Sequence, residues 1–103
     1  MNKNSLNESP EINGGFVFVD FYTDWCEPCR LLEPILEEVQ KKVGDGVIIQ
    51  KINLDEHPSL MEKYNIRSVP TLMLFRRGQT LWRMAGFDTA DELAKIILSY
   101  SEK

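Results

Sequence analysis

Residues 16–22, FVFVDFY, are apolar at nearly every position. A strand that lacks alternation between apolar and polar residues is usually covered on both faces, as at the parallel centre of an α/β sheet. After Cys26 the spacing of apolar residues becomes helical, and one face of a long helix carries Leu32, Ile35, Leu36, Val39 and Val43. Residues 47–54 predict a second strand. The strand, helix and strand form a right-handed βαβ unit.

The second half of the chain predicts a short helix and a hairpin. The helix runs over residues 58–64 and ends at Asn65 in a left-handed cap. Two strands at 71–75 and 80–85 then flank a turn that is built on Gly78. A turn of this kind joins strands that lie side by side and antiparallel, so the sheet is expected to be mixed.

A closing helix completes the predicted architecture. Thr89 and Glu92 form a capping box at its start. Its apolar face carries Leu93, Ile96, Ile97 and Tyr100. The order β-α-β-α-β-β-α indicates an α/β fold, in which a mixed sheet has helices on both faces.

The length of 103 residues allows one domain with a modest core. We expect this domain at residues 16–103, after a polar segment at 1–15 in which Ser9 opens one helical turn that Gly14 and Gly15 close.

The net charge of −4, without a basic stripe, argues against nucleic acid as the main partner. No apolar run resembles a signal peptide or approaches a membrane span, so we expect a cytoplasmic protein.

The two cysteines stand close together in WCEPC, residues 25–29. A metal clamp, a structural staple and a reactive redox pair are the possible explanations. A structural zinc site takes four ligands, usually as two separated pairs, whereas this chain has one pair and a single histidine, His57, in a predicted loop. We therefore expect no metal site within one chain, and a metal shared between two chains stays open.

The surroundings of the cysteines favour the redox pair over the staple. Closing so short a loop removes little entropy from the unfolded chain, so a staple adds little stability. Cys26 follows a buried strand and begins a helix, where free N–H groups and the positive end of the helix dipole stabilise a thiolate. Cys29 faces the same side of the helix one turn later, and Pro28 is tolerated in the first turn. The pair therefore predicts a reactive dithiol.

Three segments of the chain resemble the thioredoxin family: VDFYTDWCEPCRLLEPILEE, KINLDEHPSLMEKYNIRSVPTLMLFRRG and AGF. The match runs without gaps from Phe16 to the C-terminus. The resemblance implies the thioredoxin fold and a protein-disulfide reductase, a thiol–disulfide oxidoreductase that uses a reversible Cys26–Cys29 dithiol/disulfide. It further implies disulfide-containing protein substrates, no bound cofactor, and recharging by thioredoxin reductase, a flavoprotein that uses NADPH.

Four residues carry the implied chemistry. Cys26 resembles the attacking thiol and Cys29 the resolving thiol of the family. Asp20 stands in the middle of the apolar strand, where burial raises the pKa of a carboxyl; the alternative is a carboxylate at the strand end that points to water. The matching family aspartate accepts a proton from the resolving thiol. Lys51, on the neighbouring strand, resembles its charge partner, with a solvated strand residue as the alternative.

The resemblance also implies a surface on which an extended peptide substrate docks. We call it the docking surface, formed by Trp25, Glu27, Pro28, Val69, Pro70, Gly86 and Phe87. The Val69–Pro70 peptide bond is expected to be cis on the resemblance, although most bonds before proline are trans. For Trp25 and Phe87 the alternative is ordinary core packing.

The sequence departs from the family pattern in the active-site motif and at the front of the chain. Glu27 replaces the usual glycine between the cysteines, and Arg30 replaces the usual lysine. Glu27 is either a favourable charge in the first helical turn or a modifier of thiol acidity and substrate choice.

The segment at 1–15 is also too short and polar for the strand and helix that usually precede the sheet. We expect a four-stranded sheet with residues 47–54 at an unprotected edge, in a monomer, with dimerisation through that edge as the alternative.

Two other functions are compatible with the same fold. One is an oxidant or isomerase in an oxidising compartment, which a higher reduction potential would indicate. The other is a binding module that docks a partner without turnover. The presence of both cysteines together with Asp20 and Pro70 argues against a pure binding module, because a scaffold has no use for them.

Overall fold

The computed structural model describes residues 15–101. Over that range the chain forms four strands and three α-helices in the predicted order. They are β1 (Phe16–Tyr22), α1 (Glu27–Val43), β2 (Val47–Asn53), α2 (Ser59–Lys63), β3 (Thr71–Arg76), β4 (Gln79–Ala85) and α3 (Ala90–Ser101). The helical turn predicted at Ser9 lies outside the described residues. None of the described helices is long and apolar enough to cross a membrane.

The strands form one mixed sheet in the order β2-β1-β3-β4. β1 runs parallel to β2 and antiparallel to β3, and β4 pairs with β3 in a hairpin. β1 is buried from Phe16 to Phe21, as its lack of alternation predicts. Within residues 15–101, β2 lies at one edge of the sheet, where Ile48 is exposed. This agrees with the edge position predicted for residues 47–54.

Alternate residues of β1 face two separate parts of the core. Phe16 and Phe18 belong to the cluster that packs against α1 and α3, whereas Val19 and Phe21 belong to the cluster that packs against α2. Full burial of one such side chain contributes about 2 kcal/mol to folding, so the sheet is held from both faces. The same alternation places the side chain of Asp20 on the α1 face, next after Phe18.

The turns depend on residues in the left-handed region. Arg77 and Gly78 have φ of 55° and 77°, and a tight two-residue hairpin needs two successive residues of this kind. Gly78 was predicted from the sequence as the turn residue, whereas Arg77 was not. Asn65 has φ of 54°, as the cap predicted after α2 requires.

The capping box predicted before α3 is only half formed. The Glu92 N–H donates to Oγ1 of Thr89 at 3.1 Å. In a complete capping box the Thr89 N–H bonds the Glu92 carboxylate, but here it donates to Oδ1 of Asp88 at 2.7 Å. Asp88 supplies this acceptor from the preceding residue, and the Glu92 carboxylate forms an ion pair with Lys95 at 3.6 Å.

Candidate active site

Cys26 and Cys29 form a disulfide across the first turn of α1. Cys26 is the N-cap residue of this helix, and its Sγ accepts the Cys29 N–H at 3.1 Å. The Arg30 N–H donates to the Cys26 carbonyl oxygen at 3.3 Å. A sulfur at this position meets the Cys29 backbone N–H and the positive end of the helix dipole, both of which stabilise a thiolate in the reduced form. In residues 15–101 no group of three or more His, Cys, Asp or Glu side chains is arranged to hold a metal ion.

The loop before the disulfide is tied to the end of β2. The Asn53 amide donates from Nδ2 to Oδ1 of Asp24 at 2.8 Å and accepts the Asp55 N–H on Oδ1 at 2.9 Å. The Asp24 N–H donates to Oδ2 of Asp55 at 3.4 Å. Beside this network the Trp25 side chain is 82% exposed. This network was not predicted from the sequence. Its signal is that polar residues follow both parallel strands, whose carboxyl ends meet at one edge of the sheet.

Asp20 is a fully buried carboxyl in the centre of β1. Among the described residues, neither of its oxygens has a hydrogen-bond partner. Burial raises the pKa of Asp20 to about 7; the positive charge of Lys51 lowers it in part, and the negative charge of Glu33 raises it further. The alternative of a solvent-facing carboxylate at the strand end is therefore wrong.

Lys51 lies opposite Asp20 on the parallel strand β2, but its direct partner is another residue. Its Nζ bonds Oε2 of Glu33 on α1 at 2.7 Å and lies 4.9 Å from the centre of the Tyr22 ring. Lys51 acts on the Asp20 carboxyl through space, as a charge partner does, while its hydrogen bond goes to Glu33. The hydrogen bond from Lys51 lowers the pKa of Glu33. Glu33 was not predicted from the sequence, since a glutamate on the polar side of a helix carries no distinguishing signal.

Three loops of the predicted docking surface meet at one end of the sheet. Thr71, the first residue of β3, pairs with Phe21 of β1 and Ala85 of β4. The loops after β1, before β3 and after β4 are therefore neighbours. The Gly86 N–H donates to the carbonyl oxygen of Pro70 at 2.8 Å, which joins two of these loops directly.

The members of the docking surface differ in their exposure. Trp25, Glu27 and Pro28 are exposed, whereas Val69, Gly86 and Phe87 are half-buried and Pro70 is buried. The Val69–Pro70 peptide bond is cis, as the resemblance implied. The expectation of an open apolar surface needs correction at Pro70, whose side chain is buried. Phe87 is half-buried and also packs against the core cluster on the α1 face.

A family model described as Thioredoxin matches residues 2–99. The chain belongs to the thioredoxin family. The match includes most of the polar segment at the front, which the resemblance noted from the sequence did not cover. As a member of the thioredoxin family, the protein is a thiol–disulfide oxidoreductase with a CxxC disulfide at Cys26 and Cys29. Disulfide substrates and a reductase partner follow from the family in general terms.

Individual thioredoxins show the extent of the similarity. The chain is 40% identical to a thioredoxin of Chlamydia caviae over 87 residues, which cover 84% of each protein. It is 51% identical to a thioredoxin of Rickettsia bellii over 63 residues, 61% of this chain and 60% of the relative. A mutant thioredoxin from Halobacterium salinarum superposes with a TM-score of 0.81 at 34% identity, covering 97% of this chain and 86% of that one. The thioredoxin fold and the family of protein-disulfide reductases are thereby established.

Proposed function

We propose that Cys26 and Cys29 reduce disulfide bonds of protein substrates in two exchange steps. The Cys26 thiolate attacks one sulfur of the substrate disulfide, so that a mixed disulfide forms and one substrate thiolate leaves. The Cys29 thiolate then attacks Sγ of Cys26, which forms the Cys26–Cys29 disulfide and releases the second substrate thiolate. Two electrons pass from the dithiol to the substrate. The observation that carries this proposal is the disulfide at the helix start, with a backbone N–H directed at Sγ of Cys26.

Asp20 is proposed to accept the proton that the Cys29 thiol must lose before it attacks. A general base is most effective when its pKa lies near the working pH, and burial raises the pKa of Asp20 to about 7. Asp20 lies on the α1 face of β1 and is acted on by the charge of Glu33, which lies one helical turn after Cys29. Lys51 is proposed to adjust this base from the neighbouring strand, because its positive charge favours the ionised carboxylate.

The docking surface is proposed to hold an extended substrate segment next to the disulfide. The exposed Trp25 offers an apolar contact on one side, and the backbone at Val69 offers strand-like pairing on the other. Gly86 extends the docking surface beside Val69, because its N–H is bonded to the carbonyl oxygen of Pro70. Glu27 and Pro28 are exposed within the CxxC motif, so a substrate that reaches Sγ of Cys26 passes close to both.

The oxidised protein is proposed to be recharged by an NADPH-dependent flavoprotein, thioredoxin reductase, in the cytoplasm. This continues the family's general requirement for a reductase, and it needs no cofactor bound to the chain itself. We propose a monomer, with β2 (Val47–Asn53) as the edge through which two copies would pair if a dimer forms. The position of β2 at a sheet edge within residues 15–101 supports that choice of contact.

Insulin reduction by dithiothreitol tests the proposed function. We expect the wild-type protein to accelerate the reaction and a Cys26→Ser variant to leave it at the uncatalysed rate. No acceleration by the wild type would contradict the reductase. A reduction potential well above the ~−270 mV typical of thioredoxin would favour an oxidant or isomerase instead, and a cellular role that persists in the Cys26→Ser, Cys29→Ser variant would favour a binding module.

A further inference from the structure

Both members of the ion pair between Glu33 and Lys51 act electrostatically on the buried carboxyl of Asp20. Glu33 lies on α1 one helical turn after Cys29, and Lys51 is the register partner of Asp20 on β2. The Nζ–Oε2 distance is 2.7 Å, shorter than in the Lys42–Asp91 and Lys95–Glu92 pairs, although both side chains are partly exposed. Exposed pairs contribute little to stability, so stability does not explain this placement.

The pair determines where the Lys51 ammonium lies. The side chains of register partners on adjacent strands point to the same face of the sheet. The Lys51 side chain therefore leaves β2 on the face that also carries the Asp20 carboxyl. Its Nζ nevertheless bonds Glu33 and contacts the Tyr22 ring. Within residues 15–101, the Asp20 oxygens are bonded to no donor.

We propose that Glu33 is a positioning residue for proton transfer between Cys29 and Asp20: it holds the Lys51 ammonium and leaves the Asp20 carboxyl without a direct ionic partner. The inference rests on the proposed role of Asp20. In the resolving step the Cys29 S–H bond breaks, its proton passes to the Asp20 carboxylate, and the resulting thiolate attacks Sγ of Cys26. An Asp20 carboxylate bonded to Lys51 would be a weaker base, because a direct ammonium partner favours the ionised form.

The charged groups around Asp20 act in known directions. From β2, Lys51 lowers the pKa of Asp20, and from α1, Glu33 raises it, while burial is the largest cause of its value of about 7. Arg30, also on α1, acts on Glu33 and lowers its pKa. Tyr22 follows on β1 and contacts Lys51, and the neighbour on β3 is the uncharged Leu72. Loss of the Glu33 charge removes one raising contribution and frees Lys51 to approach Asp20. Both changes lower the pKa of Asp20.

The test follows the Asp20 carboxyl carbon by NMR against pH in the reduced protein. We expect Glu33→Gln to lower the pKa of Asp20 by about half a unit or more, and the pH dependence of mixed-disulfide release to move to lower pH by the same amount. Glu37→Gln, which removes the same charge at an exposed position one turn further along α1, should leave both unchanged. A Glu33→Gln titration that coincides with that of the wild type, or lies at higher pH, would overturn the proposal. Glu33→Ala gives the same test if the glutamine variant perturbs the helix.

A Lys51→Met background separates action through Lys51 from direct action on Asp20. There we expect Glu33→Gln to shift the Asp20 titration by less than half of its effect in the wild type. An equal shift in both backgrounds would mean that Glu33 acts without Lys51, which overturns the positioning role. Insulin reduction by the same variants is a separate readout. An inactive wild type would contradict the proposed function, whereas the titration tests Glu33 whether or not the protein turns over.

Discussion

The backbone N–H of Cys29 donates to Sγ of Cys26 at 3.1 Å across the first turn of α1. Cys26 is the N-cap of this helix, so its sulfur occupies the position that Ser or Asp oxygens take at other helix starts. In the reduced protein the same donor stabilises the thiolate, which is the nucleophile of disulfide exchange. The acidity of Cys26 therefore depends on this N–H, on the helix terminus and on the charge of the adjacent Glu27.

Removal of the Glu27 charge should make Cys26 more acidic. We expect Glu27→Gln to lower the pKa of the Cys26 thiol by up to about half a unit, because a carboxylate beside a thiolate disfavours it and the exposed site weakens the effect. The lower pKa stabilises the reduced form at neutral pH, so the variant should be a weaker reductant. Thiolate absorbance against pH measures the acidity, and equilibration with glutathione measures the reduction potential.

Glu27→Gly separates the charge from the backbone. It should reproduce the thiol pKa of Glu27→Gln but melt earlier, since glycine in the first helical turn costs conformational entropy on folding. If the thiol pKa in both variants stays at or above the wild-type value, the Glu27 carboxylate points away from the sulfur. Its presence would then be explained by favourable interaction with the helix dipole alone.

Replacement of Asp20 should slow catalysis and stabilise the fold. We expect Asp20→Asn to slow release of the mixed disulfide by about 100-fold, the range typical of a lost general base. Stopped-flow Trp25 fluorescence during reduction of a disulfide peptide reports this step. A variant that releases substrate at the wild-type rate would exclude Asp20 as the base.

The stability effect of Asp20→Asn should depend on pH in a defined window. The pKa of Asp20 is raised from 3.8 to about 7 in the folded protein. The contribution of the protonated carboxyl to the free energy of unfolding is therefore fully present below pH 3.8. It is lost as the pH rises to 7, where the free energy of unfolding has fallen by about 4 kcal/mol. The advantage of Asp20→Asn in free energy of unfolding should therefore grow by about 2 to 3 kcal/mol between pH 5 and pH 8. Urea unfolding at the two pH values measures it, and a constant difference would contradict the raised pKa.

Gly86 should tolerate no side chain without a loss of stability. Its φ is 100°, in the region that L side chains rarely adopt, while an added Cβ would meet no atom within 4 Å. Gly86→Ala should therefore lower the free energy of unfolding by about 1 kcal/mol or more through backbone strain alone. Gly46→Ala is the matched control, since a Cβ there also meets open space but φ is not positive. Equal effects of the two substitutions on thermal unfolding would exclude backbone strain as the cause.

The resolving role of Cys29 predicts that Cys29→Ser traps substrates. Without the second thiol the mixed disulfide on Cys26 is not cleaved from within the protein, so disulfide-linked partners should accumulate. They are visible on non-reducing gels and disappear on reduction. Cys26→Ser is the control and should trap none, because Cys29 is less accessible from outside. Recovery of partners by Cys26→Ser alone would reverse the roles of the two thiols.

Features that depend on neighbouring residues were predictable from the sequence. The unbroken apolar run of β1 indicated cover on both faces, and the helical spacing from Leu32 onward indicated which side of α1 is buried. Gly78 and Asn65 marked turns because few residues adopt a left-handed backbone. The CxxC spacing at a helix start indicated reactive thiols, since that chemistry requires only the local backbone. Each of these inferences rests on a window of a few residues.

Features that depend on contacts between distant elements were decided by the tertiary structure. Lys51 was expected to be the charge partner of Asp20 and acts on it through space. Packing of α1 against β2 also gives the ammonium a direct bond to the Glu33 carboxylate, which remains partly exposed to water. Phe87 was expected at the surface, and its ring is only half-exposed because it also packs against the core cluster on the α1 face. Local sequence determined which elements form and where the thiols stand. Tertiary packing decided which charges meet, because the electrostatic energy depends on distances that no short window of the sequence contains.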